Sequence, residues 1–78
     1  MRYKFYEDDD GTTTQIWFDG DITAATIVDA AGIHANGNAR RHPIDDYDQW
    51  LGETLAVSRA QQRYAKKIEK IALRSTVK

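Results

Sequence analysis

The chain contains no cysteine, one proline and no apolar run near the roughly 18 to 20 residues of a membrane span. The missing cysteine excludes a disulfide, a thiolate metal site and a thiol nucleophile, and fits a reducing compartment. Serine is almost as scarce. Ser58 and Ser75 are the only two, and neither stands in the glycine-rich turn that exposes a nucleophile. No phosphate-cradling glycine loop is present, and the N-terminal stretch Met1-Arg2-Tyr3-Lys4-Phe5 has no signal-peptide core. These absences lead us to expect a non-enzymatic protein of the cytoplasm with no cofactor. What is present is 78 residues, 41% apolar and 29% charged, the composition of one small soluble domain spanning 1–78. A chain of this length buries only about 60% of the surface its unfolded form exposes, so dimerisation or a bound partner would help it.

The net charge of -1 hides a polarity along the chain. Residues 1–53 carry eleven acids against four bases, a balance of -7; residues 54–78 carry seven bases against Glu69 alone, a balance of +6. Such asymmetry is a hint of a nucleic-acid or acidic-partner surface, although a basic end that folds back on the acidic end, or completes a helix dipole, accounts for it equally.

Hydrophobic patterning predicts an α+β fold: an N-terminal β-hairpin over 2–18, a short Ala-rich helix over about 22–31, a loop over 33–44 and a long amphipathic helix over about 45–74. Arg2 to Glu7 alternates charge and aromatic ring, and Thr12 to Phe18 is rich in β-branched and aromatic residues, with Gly11 supplying a left-handed position between them. Regular strands would put Tyr3, Phe5, Ile16 and Phe18 on one face and Tyr6 and Trp17 on the other. Asp21 or Thr23 would cap the short helix and Gly32 would end it, with Ile33 making the contact that accompanies a glycine C-cap. Asn36-Gly37 could turn a hairpin, but its flanks lack alternating hydrophobics, so the pattern favours a loop. Pro43 with Asp45 and Asp48 marks the start of the long helix. On that helix Tyr47, Trp50, Thr54, Val57, Tyr64, Ala65, Ile68, Ile71 and Ala72 share one arc, and Arg59, Arg63, Lys66, Lys67, Lys70 and Arg74 an adjacent one. Gly52 would bend or break the helix.

Two loop histidines, His34 and His42, match no zinc template. The turn Asp8-Asp9-Asp10-Gly11 lacks the bidentate glutamate of a calcium loop, so no metal is expected. Asp45, Asp46 and Asp48 are explained by helix capping. A helix-turn-helix over 22–41 fails, because Ala35-Asn36-Gly37-Asn38 cannot form a recognition helix. Binding surfaces remain. Glu7, Asp8, Asp9, Asp10, Asp19, Asp21, Asp45, Asp46 and Asp48 would present an acidic patch to a basic protein, with Trp17 or Tyr6 as anchor. The sequence therefore points to a non-catalytic protein-binding module, an accessory or inhibitory protein of a phage or mobile element acting in the host cytoplasm. In scale and plan it resembles small phage-encoded inhibitors of host defence, anti-CRISPR proteins among them, without sharing a motif with them. The alternative is a nucleic-acid-binding regulator that uses Arg40, Arg41, Arg59, Arg63, Lys66, Lys67, Lys70 and Arg74 along the C-terminal helix as a dimer. A third reading pairs two copies through Trp50, Val57, Tyr64, Ile68 and Ile71.

Overall fold

A computed structural model describes residues 2–40 and 49–76, with helical side chains described from Leu51 to Arg74. Four strands, β1 (Arg2–Glu7), β2 (Thr13–Asp19), β3 (Ile22–Val28) and β4 (His34–Arg40), form an antiparallel meander in the order β1-β2-β3-β4, followed by one helix, α1 (Gln49–Thr76). The overall class is α+β. The positions of Asp45, Asp46 and Asp48, and of Arg41, His42 and Pro43, lie outside the described residues.

Two expected elements are corrected. The predicted Ala-rich helix is strand β3 and the turn after it, and the predicted loop contains strand β4. In β3, β-branched Ile22, Thr23, Thr26, Ile27 and Val28 outweigh the two alanines, and burial alternates, with Thr23, Ala25 and Ile27 inside. In β4 the inward positions are Ala35, Gly37 and Ala39. They alternate with His34, Asn36, Asn38 and Arg40, a period of two written in small rather than large residues. Gly32 is not a helix cap. The segment 29–33 repeats the turn of 8–12: Gly11 N–H donates to Asp8 C=O and Gly32 N–H to Asp29 C=O, both at 3.0 Å. Each glycine then takes the left-handed conformation at φ of 85° and 86°, as in a type I turn closed by a bulge. The two turns pack together, since a Cβ on Gly11 would stand 3.3 Å from Ala30 Cβ.

The register also corrects the faces of the first hairpin. Lys4 pairs with Ile16 and Tyr3 with Trp17, so Lys4 and Tyr6 share the helix side with Ile16 and Phe18, while Tyr3 and Phe5 join Trp17 on the far side.

The helix runs unbroken through Gly52, built from strong helix formers with no proline. Its contact stripe is not the large-residue arc expected above. Gly52, Ala56 and Ala60, spaced by four, face the sheet, and Ala56 and Ala60 are completely buried. Val57 and Tyr64 pack beside them. Gly37 lies directly under this stripe: a Cβ there would come within 2.3 Å of Ala60 N and 2.4 Å of Ala56 O. Small residues on both sides thus bring the helix backbone down onto β3 and β4, and Ile16, Phe18 and Ile27 fill the flank of the core.

Candidate binding surfaces

Because α1 covers only one face of the sheet, the other is open. The registers place side chains on it in rows across the four strands: Tyr3, Trp17, Ala24, Asn38; then Phe5, Gln15, Thr26, Asn36; then Glu7, Thr13, Val28, His34. Tyr3 is 53% and Phe5 50% exposed. The Tyr3 and Trp17 rings meet at 5.5 Å between centroids with a 48° tilt, a favourable edge-on geometry that leaves ring faces available. Thr26 Oγ1 donates to Asn36 Oδ1 at 2.8 Å across the same surface. An aromatic cluster of Tyr3, Phe5 and Trp17 therefore sits on the β1–β2 half, with amides on the β4 half. Sequence reasoning found Trp17 here but put Tyr3 and Phe5 inside; the pairing of Lys4 with Ile16 would have corrected it. Tyr6, the other expected anchor, lies on the opposite side and donates to Glu53 Oε1 at 3.1 Å.

The acidic residues do not gather into one patch. Glu7, Asp8, Asp9 and Asp10 lie at one end of the β1–β2 hairpin, and Asp19 and Asp21 at the other, about 20 Å apart along the strands. On the open face Glu7 and Asp19 thus stand at opposite ends of the aromatic cluster. Asp10 is committed to the turn. Its Oδ1 accepts from Thr12 N–H at 3.0 Å, which holds the carboxyl below its usual range.

The basic stripe of α1 has a structural partner. Arg59 Nη1 donates to the Asn38 carbonyl at 2.6 Å, Arg63 Nη1 to the Asn36 carbonyl at 2.8 Å, and Lys67 Nζ to the His34 carbonyl. These carbonyls belong to alternate residues of β4 and point away from β3, so three cations at four-residue spacing cap the outer edge of the sheet. Lys66, Lys70 and Arg74 are exposed. Arg40 ends β4 on the open face. Past Lys67 every described helical side chain is exposed, Ile68 and Ile71 included.

A groove of about 410 Å³ separates α1 from the inner face of β1 and β2, lined by Tyr6, Thr14, Ile16, Glu53, Val57 and Gln61 among others. Lys4 Nζ meets Glu53 Oε2 at 3.0 Å along this side, and the hydrogen bond raises the lysine pKa above its usual value. Among the described residues no three or more His, Cys, Asp or Glu side chains could hold a metal, and no helix is long and apolar enough to cross a membrane. A protein-family model described as Rv2632c-like matches residues 1–75. No curated protein and no solved structure matches the chain.

Proposed function

For a chain that belongs to the Rv2632c-like family, we propose a non-catalytic protein-binding role in the cytoplasm, with the partner received on the open face of the sheet. The observation that carries this reading is the exposed cluster of Tyr3, Phe5 and Trp17 on a face that the helix leaves uncovered. Aromatic side chains supply large contact area at low entropic cost and are the common anchors of interfaces. Glu7 and Asp19 flank the cluster, so the chemistry favours an apolar segment with basic residues at its ends. The acids guide approach and register, and the rings supply affinity. The narrower form, an accessory or inhibitory protein of a phage or mobile element, rests on chain size and two-signed charge alone.

Capture of partners from the native cell by the full chain, with and without nuclease, tests the reading when run beside two variants. Phe5→Ser with Trp17→Ser should lose a nuclease-resistant protein partner while circular dichroism stays native. Lys66→Glu with Lys70→Glu and Arg74→Glu should keep it. The reverse pattern, together with salt-sensitive retention on DNA, would favour the nucleic-acid alternative. That alternative now leans on these three exposed residues, since Arg59, Arg63 and Lys67 hydrogen-bond β4.

A further inference from the structure

The two edges of the sheet are treated differently. On β4 the outward carbonyls of His34, Asn36 and Asn38 receive Lys67, Arg63 and Arg59. On β1 the alternation of the ladder decides which groups point outward. Asp8 N–H donates to the Thr12 carbonyl at 2.8 Å, so Asp8 faces β2. Counting back by twos, Tyr6, Lys4 and Arg2 also direct their backbone groups to β2, and Tyr3, Phe5 and Glu7 direct theirs to the free edge. That edge carries an extended run of six residues with no helix over it. An edge of this kind is a template for another strand.

We propose that the occupant is the β1 strand of a second copy of this chain, paired antiparallel about a two-fold axis at Phe5. In this register Phe5 faces Phe5 of the second copy and Tyr3 faces its Glu7, each pair exchanging both backbone hydrogen bonds. On the helix side Lys4 faces the other copy's Tyr6, and Arg2 faces its Asp8. Arg2 and Asp8 lie on the same side of the sheet: the guanidinium is 5.6 Å from the Phe18 ring and Asp8 lines the groove under α1. The close, non-hydrogen-bonded position puts these opposite charges directly across from each other twice in the dimer. Moving the axis to Lys4 would set Lys4 against Lys4, and like charges directly opposite are unfavourable. Charge complementarity thus selects the register. The result is a continuous eight-stranded sheet with both helices on one side, and the Tyr3, Phe5 and Trp17 clusters of the two copies adjoin on the other. The inference stands on edge geometry and does not depend on the identity of a foreign partner.

Sedimentation of the full chain across a concentration series is the test. The native chain should pass from monomer to dimer, and amides of Tyr3, Phe5 and Glu7 should gain hydrogen-exchange protection in the dimer. Phe5→Pro removes the central outward N–H from an edge position that tolerates proline, and should give a folded monomer. Arg2→Asp alone and Asp8→Arg alone should each weaken the dimer about tenfold, because the two-fold repeats the pair, and the double exchange should restore it. A native chain that stays monomeric at every concentration overturns the proposal. So does a dimer that leaves the three amides unprotected, or one whose strength the charge exchanges do not move.

Discussion

The Tyr64 hydroxyl donates a 2.8 Å hydrogen bond to Oδ2 of Asp29, which fastens the helix to the turn between β3 and β4. The other oxygen of the same carboxylate accepts the N–H groups of Ala31 and Ile33, each at 2.9 Å. One side chain thus shapes the turn and holds the helix. The Tyr64 bond, ahead of the backbone donors, keeps the Asp29 carboxyl below its ordinary 3.8, and the same bond raises the phenol above its ordinary 10.0. A lowered carboxyl contributes stability that is full above 3.8 and lost as pH falls through its lowered value; a raised phenol contributes stability that is full below 10.0 and lost as pH rises through its raised value. Tyr64→Phe should therefore lower the unfolding midpoint across the neutral range. The gap from the native chain should close in strong acid and in strong alkali. A gap that persists unchanged at both extremes would assign the loss to packing of the ring instead.

Gly37 and Gly52 face each other's elements and should respond oppositely to alanine. At Gly37 the added methyl meets helix backbone at 2.3 and 2.4 Å, and a backbone cannot rotate aside. Gly37→Ala should cost about 2 to 3 kcal/mol or prevent docking of α1. At Gly52 the nearest atom is the Thr23 hydroxyl oxygen at 3.0 Å, a side-chain atom. The helix gains about 1 kcal/mol from alanine over glycine there, so Gly52→Ala should fall near neutral in urea unfolding. Equal losses at the two positions would contradict the close contact inferred at Gly37.

Removing the cap from β4 should expose its edge without unfolding the sheet. The triple variant Arg59→Ala, Arg63→Ala, Lys67→Ala should keep its circular dichroism but scatter more light with time and concentration. Each bond is solvent-exposed and is expected to contribute under about 1 kcal/mol to stability. A variant as clear in solution as the native chain would deny the stripe its protective role.

Substitutions on the two faces of β1 and β2 should separate fold from binding. Ile16 is completely buried, and Ile16→Ala should cost about 2 to 5 kcal/mol. Tyr3→Ser and Phe5→Ser remove half-exposed rings and should each cost about 1 kcal/mol or less, measured by thermal unfolding at low protein concentration. Large losses at Tyr3 or Phe5 would mean that the open face serves the fold rather than a partner.

The first hairpin and the long helix are legible in the sequence because their signals are large: aromatic alternation on one, a run of helix formers on the other. The middle of the chain is not, and Asp29-Ala30-Ala31-Gly32 shows why. It has the same Asp-x-x-Gly spacing as Asp8-Asp9-Asp10-Gly11 and makes the same turn, yet its alanines read as helix. In β4, Ala35, Gly37 and Ala39 carry too little hydrophobicity to register as an inward face; their value lies in being small beneath Ala56 and Ala60. The candidate surface was half visible for a related reason. Trp17 points outward from a strand whose pattern is clear, but Tyr3 and Phe5 could be placed only once their pairing with β2 was known. Likewise, nothing in the spacing of Arg59, Arg63 and Lys67 announces a row of β4 carbonyls.

The cap on β4 has a consequence for the order of events as the chain is made. All four strands leave the ribosome before Arg59, Arg63 and Lys67 do, so the meander can pair hairpin by hairpin while its last edge and its small-residue face are still bare. Only when the helix has emerged through Lys67 can one docking step cover the face and block the edge together. The interval between these two moments is when the nascent chain is most open to pairing with the wrong strand, and a holding chaperone would act then.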